Sequence, residues 1–340
     1  MKIGKVMGCA LVGACVVVGG VVVGGGAIAQ ELDEATFALP QEVVSSATAF
    51  EHYMTSAARI DSGFSSGASV ARSVDAAASY QPAQLEEGMI AYGAIAALQD
   101  DRFVAGVEQA GGRGEDRAAF AERLIEDPYA ATRVDGAEGA AERVEAALAA
   151  KARPLMSAAT LVNRSAYTVQ HQAWSKVMVA NAQGRLAQVK SLSAQRAAPS
   201  DDESQAMMQA LAGADPRDAA GEAPAGFTAI EARSLALAAE SVLGRAGGAE
   251  RDRLAPLLTE ADSAQCLKMA KLNLYQCMAV AGPQYEDIFC MGQHAMLDTG
   301  QCVSHAAHDV GQSTAVASLS PRAQASAIPL AAHRSLRIDP

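Results

Sequence analysis

Residues 266–302 read CLKMAKLNLYQCMAVAGPQYEDIFCMGQHAMLDTGQC, and this stretch decides the fold. It holds four of the chain's six cysteines, and the other two lie near the N-terminus. Cys266 and Cys277 are eleven residues apart, about three turns of an α-helix, so both sulfurs lie on one face. Gly282 followed by Pro283 favours the end of one helix and the immediate start of another. The pattern therefore predicts a helical hairpin.

The same four cysteines predict two disulfides. A fold at Gly282 brings Cys277 opposite Cys290, and it brings Cys266 opposite Cys302. Four cysteines permit three pairings, and this nested pairing needs the least movement of the backbone. In the chain-entropy model each closed loop stabilises the fold by about 3–4 kcal/mol. We therefore expect the bridges Cys266–Cys302 and Cys277–Cys290.

The layout of the hairpin is similar to that of the coiled-coil-helix proteins of the mitochondrial intermembrane space. Those proteins space the cysteines of each helix slightly more closely than the ten and eleven intervening residues found here. The resemblance covers this one hairpin. It implies a shared geometry of two antiparallel helices joined by two bridges.

Two other uses of these side chains remain open. Four thiolates, or thiolates together with His294, His305 and His308, would form a zinc site, although the chain lacks the CxxC pairs typical of such sites. Cys290 and His294 would be a thiol nucleophile and its base, which requires a free thiolate. An even number of cysteines in an exported chain favours disulfides over both alternatives.

Residues 1–29 are predicted to be a cleaved signal peptide. Lys2 and Lys5 precede an apolar run rich in valine and glycine, and Ala27-Ile28-Ala29 places small residues where a signal peptidase cuts. The alternatives are a retained N-terminal membrane anchor, because the apolar run approaches spanning length, and a lipoprotein modified at Cys15. On the first interpretation the mature protein is periplasmic or secreted and does not insert into the membrane after cleavage.

The composition of the remaining chain excludes several classes of partner and fold. Because Lys2 and Lys5 belong to the leader, the mature chain has 25 basic residues against 38 acidic ones, a formal charge of −13. This balance argues against nucleic acid and against anionic membrane surfaces as partners. Aromatic residues make up 4%, so the core must be built from Ala, Leu, Val and Met, which suits closely packed helices. We predict an all-α, multi-helix bundle that ends in the disulfide-stapled helical hairpin.

Breaks in the hydrophobic pattern divide the mature chain into four parts. These are an N-terminal helical region (30–196), a flexible linker or long loop (197–225), a C-terminal helical region (226–311) that contains the hairpin, and a disordered tail (312–340). The second part is rich in Pro, Gly and acidic residues with little apolar periodicity, which is typical of linkers.

Several helices and breaks are predicted in more detail. Pro82 opens a helix that is apolar on nearly all sides and is expected to be central, with Glu86 and Glu87 complementing the dipole of its first turns. Pro154 is expected to separate a helix that ends near Lys151 from a longer one that reaches about Ala182. Thr299-Gly300 is expected to interrupt the returning helix of the hairpin.

One serine motif is interpreted as a loop. Gly63-Phe64-Ser65-Ser66-Gly67 matches the letters of the G-x-S-x-G nucleophile elbow, which requires a strand before the serine. Here an amphipathic helix precedes it. Ser66 or Ser69 is therefore predicted to be a helix cap, and Ser65 is not expected to be a catalytic nucleophile.

Two functions remain, and the sequence contains no Walker, GxGxxG, HExxH or CxxCH motif, so no cofactor is assigned. The first is a non-enzymatic binding or scaffold module of the periplasm or envelope, whose partner is an unknown envelope or periplasmic protein. The second is a periplasmic hydrolase or metal-dependent enzyme with its site around the hairpin, where residues on shared helix faces are candidates. The candidate catalytic residues are Glu286, His294 and Asp298, and the candidate metal ligands are His305, His308 and Asp309.

Overall fold

The computed structural model describes residues 39–214, 226–247 and 250–308, and they belong to one compact unit. Over these ranges the chain forms thirteen α-helices and no strand, which confirms the all-α prediction. The α-helices are α1 (Gln41–Ala58), α2 (Gly67–Ala78), α3 (Pro82–Ala97), α4 (Asp101–Gly111), α5 (Glu115–Glu126), α6 (Ala137–Val169), α7 (Ala182–Ala194), α8 (Asp201–Ala212), α9 (Ala229–Val242), α10 (Arg251–Leu254), α11 (Ala261–Val280), α12 (Gln284–Cys290) and α13 (Asp298–Ala307). Shorter helical segments are the 3₁₀ turns Pro128–Arg133, Trp174–Lys176 and Ala255–Leu257, and the π-helical turn Met291–Leu297.

Helix α3 lies at the centre of the bundle, as predicted. Every residue from Gln84 to Ala97 is buried, and the helix packs on α1, α6 and α9. Gly88 allows the closest of these contacts, since a Cβ at this position would lie 2.1 Å from the carbonyl oxygen of Ser46 in α1. Close approach through small residues is the packing that a core rich in alanine and poor in aromatics requires.

The hairpin forms as predicted. Helix α11 leads into a short turn at 281–283, and α12, the π-helical turn and α13 return without a break from Gln284 to Ala307. The Cα atoms of Cys266 and Cys302 are 5.7 Å apart, and those of Cys277 and Cys290 are 5.6 Å apart, with both pairs bonded. The nested pairing is confirmed, and the four thiolates needed for a zinc site are absent from these positions.

Two predicted helix breaks are wrong. Helix α6 continues through Pro154, which deprives the carbonyl of Ala150 of its helical partner. Both residues are exposed, so water can hydrogen-bond to that carbonyl while the buried face of α6 holds the helix together. Gly300 lies inside α13, so Thr299-Gly300 does not interrupt the returning helix. A Cβ at Gly300 would lie 2.7 Å from Met156 Cγ, which shows that this glycine permits close packing against α6.

The segment 197–225 contains a helix where a flexible linker or long loop was expected. Ser200 and Glu203 form a reciprocal capping box at the start of α8, and Met207 and Leu211 are buried as α8 packs on α1 and α3. The prediction is therefore wrong for Asp201–Ala212. Helices before and after this segment contribute to one hydrophobic core.

Several predictions fall on residues outside the described ranges. They are the signal peptide (1–29), Cys15, Asp309, the second half of the predicted linker (215–225) and the tail (312–340). Within the part of the chain that the structure describes, no helix combines the length and apolarity needed to cross a bilayer. Ser66 is confirmed as the N-cap of α2, where its hydroxyl accepts a hydrogen bond from the Ser69 backbone N–H.

Candidate functional site

The structure brings together two of the three candidate catalytic residues. His294 Nδ1 lies 2.8 Å from Oδ2 of Asp298, which follows one turn later on the returning helix of the hairpin. Both side chains are about one-fifth exposed. Glu286 lies about two turns before His294, where its Oε2 accepts a hydrogen bond from the Gly282 N–H (2.7 Å). The predicted trio therefore does not form one site.

The His294–Asp298 pair belongs to a polar network around the π-helical turn. Gln293 Nε2 donates to Asp298 Oδ1 (2.9 Å), and Asn163 Nδ2 on α6 donates to Gln293 Oε1 (3.3 Å). One carboxylate oxygen thus orients the imidazole while the other is held by the amide. Such a pair can exchange a proton with a bound group. Cys290 is bonded to Cys277, so the alternative of a Cys290 thiolate paired with His294 is wrong.

Of the three candidate metal ligands, Asp309 lies outside the described residues, and His305 and His308 have different surroundings. His308 Nδ1 lies 3.0 Å from Glu145 Oε1 on α6, whereas His305 is exposed on α13. Burial, and then the charge of Glu145, raises the pKa of the nearby Glu231 to about 7. Among the residues of the described ranges, no group of three His, Cys, Asp or Glu side chains has metal-site geometry.

Two adjacent buried glutamates of α3 have partners that the sequence did not reveal. Glu87 is paired with Arg196 (2.9 Å) and Arg251 (3.0 Å), and Glu86 Oε1 accepts the Glu260 backbone N–H (2.5 Å). Burial raises the pKa of Glu86 to about 7. The role of these carboxylates is therefore not limited to complementing the helix dipole, as the sequence suggested. Their partners are more than a hundred residues away in sequence, so no local pattern marks them.

A buried lysine ties the hairpin to the rest of the bundle. Lys271 Nζ donates to the carbonyl of Ala78, the last residue of α2 (3.0 Å), and lies 3.2 Å from the centroid of the Tyr80 ring. Burial lowers the pKa of Lys271 well below its usual value, while a helix C-terminus and an aromatic face both favour the cation. The Tyr80 hydroxyl in turn bonds to Thr299 Oγ1 on α13 (2.7 Å). Both helices of the hairpin are thus fastened to one tyrosine.

The turn of the hairpin is held from α7. Arg185 Nη1 lies 2.6 Å from Asp287 Oδ1, and Arg185 Nη2 donates to the carbonyl oxygens of Ala281 (3.1 Å) and Met278. The pKa of Asp287 is about 6, because burial raises it more than Arg185 lowers it. One guanidinium therefore caps the end of α11 and pairs with a carboxylate at the start of α12. The Cys277–Cys290 bridge lies beside this contact.

A short backbone ribbon borders the same turn. Met178 and Pro283 form an antiparallel bridge, in which Val179 N–H donates to Gly282 O (2.9 Å) and Gln284 N–H donates to Val177 O (3.2 Å). Helix α6 ends at Val169 and not near Ala182 as predicted, and the chain that follows it pairs with the turn of the hairpin.

Large apolar side chains are exposed around this turn, and we call the surface that they form the hairpin tip. It consists of Tyr167, Val177, Met178 and Val280, with exposed fractions of 62%, 58%, 63% and 83%. The ring of Tyr167 packs edge-on against Phe289, with the centroids 6.5 Å apart. The surface is therefore apolar in its side chains and fixed in its backbone.

A groove of about 260 Å³ opens on the hairpin tip. It is lined by Gln170, His171, Lys176, Met178, Pro283 and Tyr285. No local sequence signal marked this site, because Met178 and the Gly282-Pro283 turn lie far apart in the sequence and meet only through the ribbon. Comparison of the chain with protein-family models, curated proteins and solved structures found no match.

Proposed function

We propose that the protein is an exported, non-enzymatic binding or scaffold module of the periplasm or cell exterior, and that the hairpin tip is its binding surface. The predicted leader supports export. The two disulfides are consistent with an oxidising compartment, where such bridges persist.

One observation carries the proposal: apolar side chains are exposed on a turn whose backbone is held in place by several separate contacts. Val280 and Met178 are 83% and 63% exposed, yet the turn between them is held by a disulfide, by Arg185 and by the ribbon. Exposed apolar clusters with polar surroundings are typical of protein interaction sites. A surface fixed before binding loses little conformational entropy when a partner docks.

The experiment compares partner recovery by three variants of the full exported protein. Tagged wild type, a Met178→Asp, Val280→Asp double variant and a Met208→Asp control are used to recover proteins from envelope extract, with quantification by mass spectrometry. Met208 is an exposed methionine of α8 (40%), so it matches the chemistry of the change at a different place. Burial of one Met or Val contributes about 1.5–3 kcal/mol, so we expect a partner that the double variant loses about tenfold or more.

The control variant should recover that partner as well as the wild type does. Equal recovery by all three proteins would refute the hairpin tip as the binding surface. Loss in the control as well as in the double variant would also refute it, because the loss would then not depend on the tip.

The His294–Asp298 pair favours a second candidate, a hydrolase or metal-dependent enzyme. It is tested by assaying the oxidised protein, with and without added zinc, on chromogenic esters, amides and phosphoesters. Turnover that His294→Ala abolishes and His305→Ala leaves intact would support this candidate. Turnover that is absent, or equal in both variants, would contradict it.

A further inference from the structure

Charge is distributed unevenly along this acidic chain. The formal net charge is −11, yet residues 146–200 and 263–285 contain no Asp or Glu, and together they hold nine of the 27 lysines and arginines. These two segments meet at the hairpin tip, where the Met178–Pro283 bridge joins them. The segments that meet at the tip therefore contain lysine and arginine but no acidic residue.

Exposed cations lie in the groove and on the neighbouring helices α6 and α7. Lys176 lines it, and Arg164 lies one turn before Tyr167 on α6. Lys190 Nζ lies 5.7 Å from the centroid of the Tyr275 ring, between α7 and α11.

The first two acidic residues that follow in the sequence already have partners. Glu286 accepts the Gly282 N–H, and Asp287 is paired with Arg185. Neither carboxylate forms an ion pair with Lys176 or Arg164.

The dimensions of the groove suit one side chain. At about 260 Å³ it is smaller than the roughly 300–1,000 Å³ pockets that enclose small molecules. Met178 and Pro283 supply apolar walls, and Gln170 and Lys176 supply polar ones. A planar bilayer would leave this groove empty, whereas an extended protein segment can fill it with one residue and place its neighbours against the rim.

We propose that the hairpin tip binds an acidic segment of a partner protein, which inserts one aromatic or large aliphatic side chain into the groove and places carboxylates against Lys176 and Arg164. This inference rests on the proposed function and names the chemistry of the partner. Complementary charge across such an interface accelerates association and is weakened by salt.

The test begins with a peptide selection that is not biased towards acidic sequences. Short random peptides displayed on phage are panned on the oxidised full-length protein at low salt, and the affinity of an enriched peptide is measured by fluorescence anisotropy. We expect enriched peptides to carry Asp or Glu on both sides of a Phe, Tyr, Trp or Leu.

Variants then locate the binding. Lys176→Glu should weaken the enriched peptide about tenfold or more, the equivalent of about 1.4 kcal/mol. Lys268→Glu is the matched control, because Lys268 is an exposed lysine near the other end of α11, and it should change the affinity less than about twofold. Raising the salt concentration from about 0.05 M to about 0.5 M should weaken wild-type binding.

Four results of the peptide and vesicle experiments would overturn the inference. The selection could enrich no peptide, or it could enrich neutral or basic peptides. Lys176→Glu and Lys268→Glu could weaken peptide binding equally. The protein could bind phosphatidylglycerol vesicles in a way that Lys176→Glu abolishes, while peptides do not bind. Self-association in sedimentation experiments that Lys176→Glu abolishes would assign the tip to a second copy of this chain and would also overturn it. If the Met178→Asp, Val280→Asp variant still loses its envelope partner, the proposed function survives any of these failures.

Discussion

Removing the inner disulfide should destabilise the protein by an amount that follows from its position. In the Cys277→Ala, Cys290→Ala variant a loop closed across 13 positions is released, and the chain-entropy relation gives about 3 kcal/mol at 25 °C. Removing Cys266–Cys302, across 36 positions, gives about 4 kcal/mol taken alone. With the inner bridge intact the effective outer loop is shorter, which reduces that value to about 3.5 kcal/mol.

The assay is reversible unfolding in denaturant together with thermal melting of the oxidised proteins. For a domain of this size, about 3 kcal/mol corresponds to a fall in Tm of about 6–12 °C. Thiol titration verifies that each variant retains its remaining bridge. Adding reductant to the wild type should lower Tm by more than either single-bridge variant does.

A loss of less than about 1 kcal/mol in both variants, with the remaining bridge intact, would refute the reasoning. It would show that packing and the anchors at Arg185 and Lys271 hold the hairpin without help from the bridges. An effect of the inner bridge that clearly exceeds that of the outer one would contradict the loop-length argument as well.

Two further predictions concern the core. Glu231 has a pKa of about 7 in the folded protein against an ordinary value of 4.5, so between these values the folded state binds a proton that the unfolded state does not. The stabilisation from this group is therefore complete below about pH 4.5 and is lost as pH rises towards 7. Glu231→Gln can keep the hydrogen bond from the Thr228 N–H and should reduce the fall in unfolding free energy over that window by up to about 1.4 kcal/mol per pH unit, and an unchanged slope would contradict this. Gly88→Ala places a Cβ within 2.1 Å of the Ser46 carbonyl oxygen and should lower the unfolding free energy, measured in denaturant, by about 1–3 kcal/mol. Gly213→Ala is the control and should be close to neutral, because the atom nearest to its added Cβ is 3.7 Å away. Equal effects of the two substitutions would contradict the packing argument.

The parts of the fold that sequence could predict are those with local causes. Helical spacing places Cys266 and Cys277 on one face, and Gly282-Pro283 locates the turn, so the pairing follows from short-range geometry. The capping box of Ser200 and Glu203 is also local, and it was the signal that could have identified α8 within the predicted linker.

The rest depends on contacts between distant segments. Helix α6 passes through Pro154 because its buried face outweighs one lost hydrogen bond to an exposed carbonyl. One candidate metal ligand differs from the prediction for the same reason, because His308 bonds to Glu145 more than a hundred residues away. Glu286 instead bonds locally, to the Gly282 N–H. The hairpin tip needs the bridge at Met178, which no pattern of neighbouring residues predicts.

Site-specific photo-crosslinking in cells that produce the protein tests the hairpin tip most directly. A benzophenone amino acid replaces Val280 in one strain and Met208 in a second. The predicted result is a covalent adduct from position 280, absent from position 208, that is lost when Met178→Asp is added. An adduct from position 280 whose yield is unaffected by Met178→Asp, or no adduct there at all, would contradict it.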